Sequence, residues 1–215
     1  MIDVKKKKRN KIILIAIAST LVILVGVVLI LVVFNKKEDN NNNNEVINEV
    51  KKVDEISKYN YYLEEDASSY YKELYEELKS ALNKEEVDME EYASIIARLF
   101  VTDIFTLDNK ITSSDVGGLQ FVYPSYVDEF IKINQNTLYS SVNSNIYGDR
   151  EQELPIVNSV NIENIKKDTY NYNSNNYDSY IVSASIGYKK DLGYPSKYQV
   201  TLIKEDNYLY VVSGK

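Results

Sequence analysis

Asp103 and Arg98 are the two residues of this chain whose type and setting first point to chemistry. Asp103 lies on the stripe Tyr92, Ile96, Leu99, Asp103, Leu107, where apolar neighbours would desolvate its carboxyl and raise its pKa. Arg98 is one of the two arginines outside the basic N-terminal stretch, the other being Arg150, and is suited to pair with Asp103 or with a ligand anion. Five positions apart on a helix, Arg98 and Asp103 do not share a face, so no direct pair is expected. A structural reading competes: Asp103 accepts a hydrogen bond from a nearby backbone group or Tyr, and Arg98 is solvated or at an interface.

Tyrosine is the third chemical type, with 20 of 215 residues. Tyr170, Tyr172, Tyr177, Tyr180, Tyr188, Tyr194, Tyr198, Tyr208 and Tyr210 fall in the C-terminal third. Stiff amphipathic rings suit a protein-binding surface or a platform for sugar rings. Strand propensity with the rings half in the core explains the same excess and is preferred. The candidate ligand-binding set is therefore Asp103, Arg98, Tyr188 and Tyr198.

The missing types narrow the chemistry. With no His and no Cys, the commonest general base, a Ser–His pair, a thiolate nucleophile and a Cys- or His-type zinc site are excluded. Carboxylate chemistry or an oxygen-ligand cation site stays open. Asp108, Asn109 and Asp115, like Asp168, Asn171, Asn173 and Asp178, lack the spacing of a Ca²⁺ loop and read as turn residues. No catalytic residue, metal or cofactor is expected.

Three amphipathic helices are expected to position these groups. Tyr70, Leu74, Leu78 and Leu82 recur every fourth residue from Asp66 on, with Lys72, Glu73, Glu76 and Lys79 opposite. Asp88 and Glu91 form a capping box for a second helix running to about Leu107. Gly117-Gly118 breaks the chain, and Pro124 opens a third helix to about Ser141, with Val127, Phe130, Ile131 and Leu138 inward. After Pro155 the period drops to two. Strands are expected around 156–162, 180–188, 198–202 and 208–213, with turns at 173–176, 191–193 and 206–207.

The N-terminal part is of another kind. Residues 1–11 hold six basic groups against Asp3, whereas 35–215 hold 19 basic and 31 acidic, a net −12. An acidic unit is repelled by phosphate backbones, so no nucleic-acid partner is expected. Residues 12–34 carry no charge, with only Ser19, Thr20 and Gly26 breaking the apolar run, and 23 positions are enough to span the bilayer as a helix. The run exceeds a signal-peptide core and lacks an A-x-A cleavage pattern. The flanking charges place the N-terminus in the cytoplasm and the C-terminal unit outside the cell. Residues 35–63, with Asn40 to Asn44, read as a linker, although Ile56, Tyr59, Tyr61 and Leu63 fit a short extended segment.

Helices first and strands afterwards define an α+β unit over 64–215. Three helices followed by about four antiparallel strands resemble the cystatin-like cone of the nuclear-transport-factor-2-like superfamily. With a tail and one anchor, the order also resembles the bitopic scaffold subunits of bacterial conjugation and type IV secretion machines. The resemblance is one of topology, over about residues 65–215. The Lys-, Asn-, Ile- and Tyr-rich composition points to a low-GC Gram-positive bacterium. The expected function is a single-pass, non-enzymatic binding or assembly module at the cell membrane, with a protein partner or self-association. The alternative is a small-molecule or glycan pocket between sheet and helices.

Overall fold

The computed structural model describes residues 51–215. The basic tail, the expected bilayer-spanning segment 12–34 and the Asn run lie outside the described residues. Among the described residues no helix is long and apolar enough to cross a membrane. The longest has 17 residues and carries Glu90, Glu91, Arg98 and Asp103, against the ~20 apolar residues a span requires. The expected architecture, a transmembrane helix followed by three helices on a sheet as a cystatin-like cone, is corrected accordingly. What the described residues form is an α+β unit of three helices and a four-stranded antiparallel sheet, led by a hairpin.

That hairpin falls in the stretch 35–63 read as a linker, where an extended segment through Ile56, Tyr59, Tyr61 and Leu63 is the other reading. Strands β1 (Lys52–Ile56) and β2 (Tyr61–Glu64) pair antiparallel. The turn between them uses Asn60 at φ 53°, a left-handed position that Asn tolerates. Tyr59, Tyr61 and Leu63 alternate inward and are buried. The low-complexity composition ends before residue 52, and the period of two takes over.

Helix α1 (Ser69–Leu82) begins later than Asp66 because Ser68 is the cap: its hydroxyl accepts from the Tyr71 N–H at 3.2 Å. Leu74, Leu78 and Leu82 are buried as their spacing demands. Helix α2 (Met89–Phe105) is capped by Asp88, whose carboxylate accepts from the N–H groups of Glu90 and Glu91 at 2.9 and 3.1 Å. The reciprocal half of the capping box does not form. The Glu91 carboxylate turns to Lys84 at 2.5 Å instead. Helix α2 is the central element, with eleven buried residues.

The sheet runs β3 (Val157–Tyr172), β4 (Asn175–Tyr188), β5 (Lys197–Glu205) and β6 (Tyr208–Gly214) in sequential order. The β3–β4 hairpin is much longer than expected and closes on Asn173 and Ser174, at φ 49° and 65°. Two consecutive left-handed residues are the signature of a tight hairpin turn that matches strand twist. Bulges in β3 and between β5 and β6 interrupt the register.

Helix α3 (Val127–Asn136) follows a 3₁₀ turn at Pro124–Tyr126. Val127, Phe130, Ile131 and Leu138 are only half-buried, and Ile133 is 52% exposed. The helix stands off the sheet rather than sealing it.

If the first hairpin belongs to the core, Tyr61→Ala will destabilise the unit by roughly 3–5 kcal/mol, the cost of deleting a buried aromatic ring. Urea unfolding measures it; a loss under about 0.5 kcal/mol, as for a surface site, would return residues 52–64 to the linker.

Candidate functional site

The four residues singled out by sequence do not come together. Asp103 sits on the last turns of α2 and is committed on both oxygens. One accepts from the Lys110 ammonium at 2.8 Å and the other from the Gly118 N–H at 2.7 Å. Lys110 is 4% exposed. Burial alone would lower its pKa, yet Asp103 first, with Tyr139 and Asp115 beside it, together outweigh that and hold it above the ordinary lysine range. The Asp103 carboxylate is thus hydrogen-bonded to backbone at Gly118 and, beyond what the structural reading anticipated, paired with Lys110.

Arg98 lies in a different cleft, between α1 and α2, where its guanidinium pairs with Glu77. Glu73, Glu76 and Glu91 line the same hollow, which is an acidic, solvated surface. Tyr188 donates its hydroxyl to the Pro195 carbonyl at 2.8 Å and closes the β4–β5 loop. Tyr198 alone of the four faces a large opening.

Sequence reasoning missed Glu64, which it left at the linker boundary. Glu64 lines a small hollow with Tyr71, Thr102, Asp103, Thr106 and Asn109. Desolvation first, and the Asp103 charge second, push its carboxyl up to about 7. A carboxyl poised there has the property of a general acid or base. The hollow measures only about 10 Å³, room for a single water. No substrate of ordinary size fits within it.

The large opening is a groove of about 640 Å³ between α3 and the sheet. One wall is the helix, from Tyr126 through Glu129, Phe130, Ile133 and Asn134 to Leu138. The other is Val211 to Gly214 of β6, and Ile104, Phe105 and Tyr198 lie between. Phe105 and Tyr198 meet edge to face, with ring centres 5.0 Å apart. At the α3 N-terminus Tyr126 packs on Tyr172 at 5.2 Å, and its hydroxyl lies 3.5 Å from that of Tyr170. The sequence signal was present but faint: Ile133 adds an apolar residue outside the stripe that α3 needs for packing.

No protein-family model matches the chain, and no curated protein and no solved structure is similar to it.

Two outcomes test the electrostatics of the Asp103 cluster. Lys110→Met leaves the part-buried Asp103 carboxylate without its cation and will cost about 1–3 kcal/mol, whereas the double replacement with Asp103→Leu recovers much of it; a double-mutant cycle in urea without coupling would contradict the assignment. Glu64 has a raised folded-state pKa, so its stabilising contribution is full below the ordinary value of 4.5 and is lost as pH rises through about 7. Glu64→Gln will therefore flatten the stability profile over that window, by on the order of 1 kcal/mol after solvent screening. Thermal melts at pH 5 and pH 8 read the difference.

Proposed function

We propose that the folded unit is a non-enzymatic recognition module that holds a segment of another protein in the groove between α3 and the sheet. The groove carries this reading. Its walls are apolar and aromatic where they meet Ile104, Phe105, Phe130, Ile133 and Tyr198, and a few polar groups, among them Asn134 and Ser213, stand at fixed places. Rigid rings beside isolated hydrogen-bonding groups are the composition of protein-binding surfaces. The excess of acidic residues favours a neutral or basic partner and disfavours nucleic acid.

The expected alternative, a small-molecule or glycan pocket using Asp103 and Arg98, finds less support, because those side chains lie in other hollows and are already paired. An apolar small molecule would still fit a volume of about 640 Å³. The groove is open along its length, with the helix wall running from Tyr126 to Leu138, which suits a chain segment better than a compact ligand.

Photo-crosslinking in the producing cell tests the reading. A benzophenone side chain at Ile133 will yield a discrete protein adduct. The same group at Val53, equally exposed at 51% but outside the groove, will not. Equal adducts at both positions, or none at Ile133, would contradict it.

A further inference from the structure

The groove has a feature that side chains alone do not explain: it opens on backbone. In β6 the outward-facing positions at Leu209 and Val211 are already occupied by the chain itself. The Leu209 carbonyl accepts from the Tyr61 hydroxyl at 3.4 Å, and the Val211 carbonyl accepts from the Tyr123 N–H at 2.9 Å. Val122 forms a parallel bridge with Val211, so residues 122–123 act as one short edge strand. The chain then leaves the edge. Pro124 has no N–H to offer and opens the 3₁₀ turn that leads into α3.

Beyond that point the edge has no partner among the described residues, and its free groups are those of Gly214. Gln199 and Lys215 exchange both N–H···O bonds, at 2.7 and 3.0 Å. Antiparallel ladders alternate, so the next pair inward, Val200 with Gly214, is the non-hydrogen-bonded kind. The N–H and C=O of Gly214 therefore point away from β5 into the groove, and no group among the described residues bonds to them. Ser213 and Gly214 are exposed. The Tyr198 ring lies against Gly214 in the space a Cβ would need, which gives the open edge an aromatic flank.

We propose that this edge takes up an extended segment of the partner protein, which pairs with β6 past Val211 and fills the place that the chain vacates at Pro124. The inference rests on the groove being the recognition site and specifies how it reads its partner. Backbone bonds to Gly214 supply affinity, and alternate side chains enter between Phe130, Ile133 and Tyr198. The segment is apolar or aromatic at every second position and carries no net negative charge. It lacks proline opposite Gly214, where the missing N–H would break the pair.

The test uses linear peptides about six residues long, selected by display against the folded chain. Each is resynthesised with N-methyl groups on its odd or its even residues, which removes one edge of backbone donors and spares the side chains. One methylated series will lose about tenfold or more in affinity while the other holds, because one edge faces β6. Amide exchange at Gly214 will slow when the peptide binds. Ile133→Glu will abolish binding with the melting temperature unchanged. If both methylated series bind equally but Ile133→Glu still abolishes binding, strand addition falls and the groove reading stands. If the peptides ignore Ile133→Glu, or none is selected, both fall. A dimer mass without peptide, lost on adding it, would mean that a second copy occupies the edge and would overturn the proposal.

Discussion

The ion pair between Asp103 and Lys110 determines where the outer wall of the groove can stand. It forms at the end of α2, and the second Asp103 oxygen holds the N–H of Gly118. Gly117 is pressed so closely on Asp103 that a Cβ there would lie 2.5 Å from its carbonyl oxygen. Gly118 turns the chain at φ 78°, a conformation natural to glycine, and so starts the 3₁₀ turn Leu119–Phe121 that delivers Val122 to β6. The far end of α3 returns to the same place. The buried Tyr139 hydroxyl donates to the Ile104 carbonyl at 2.9 Å and accepts from the Gly117 N–H at 3.0 Å. Helix α3 is thus suspended between two attachments on one short stretch of α2, with little burial of its own. A charged pair is a costly device in an interior, yet here it specifies a geometry that apolar packing would leave loose.

The tyrosines divide between two tasks. Tyr61 and Tyr92 share a buried hydrogen bond of 2.7 Å between hydroxyls, and Tyr75 donates to the Tyr61 carbonyl at 3.0 Å. Burial pushes the Tyr61 and Tyr92 hydroxyls far above the usual range, so these rings stay neutral and act as core residues with a polar handle. From Tyr59 a chain of ring contacts passes through Tyr208, Tyr210 and Tyr123 to Tyr126 and Tyr172, each step between 5.2 and 5.8 Å. The outer members are half-exposed. This series ties the first hairpin, the sheet, the entry to α3 and the tip of the β3–β4 hairpin into one surface. Core packing and surface presentation therefore both draw on the same residue type.

What could be read in advance follows from range. Helix stripes, the Asp88 cap, the change of period after Pro155 and the Asp206-Asn207 turn are local, and α1, α2, β5 and β6 lie near their expected positions. The hairpin at 52–64 was half legible, since its alternation was visible but its pairing partner lay inside a segment of linker-like composition. The groove was not legible. Its walls come from Tyr126–Leu138 and Val211–Gly214, and their distance from one another depends on Asp103, Lys110, Gly118 and Tyr139 meeting across the fold. Likewise Asp103 stood out for being polar on an apolar stripe, but nothing in its neighbourhood in sequence announced that Lys110 would neutralise it.

The two outer strands of the sheet show opposite treatment, and the contrast bears on function. An open strand edge invites pairing with any other chain, so proteins normally guard it. Along β3 the guard is evident. The Tyr70 hydroxyl accepts from the Val160 N–H at 2.9 Å, and Lys166 and Lys167 form ion pairs with Asp168 and Glu90 at 2.7 and 2.8 Å. Those charges stand along an exposed strand and would have to be desolvated by any incoming chain. Past Val211, β6 has no such charges among the groove residues other than Glu129 on the helix wall. The groove wall formed by α3 faces this edge, while Ser213 and Gly214 stay exposed. An edge that carries no charge and whose Gly214 backbone groups have no partner among the described residues keeps those groups available, which is what the proposed strand addition needs.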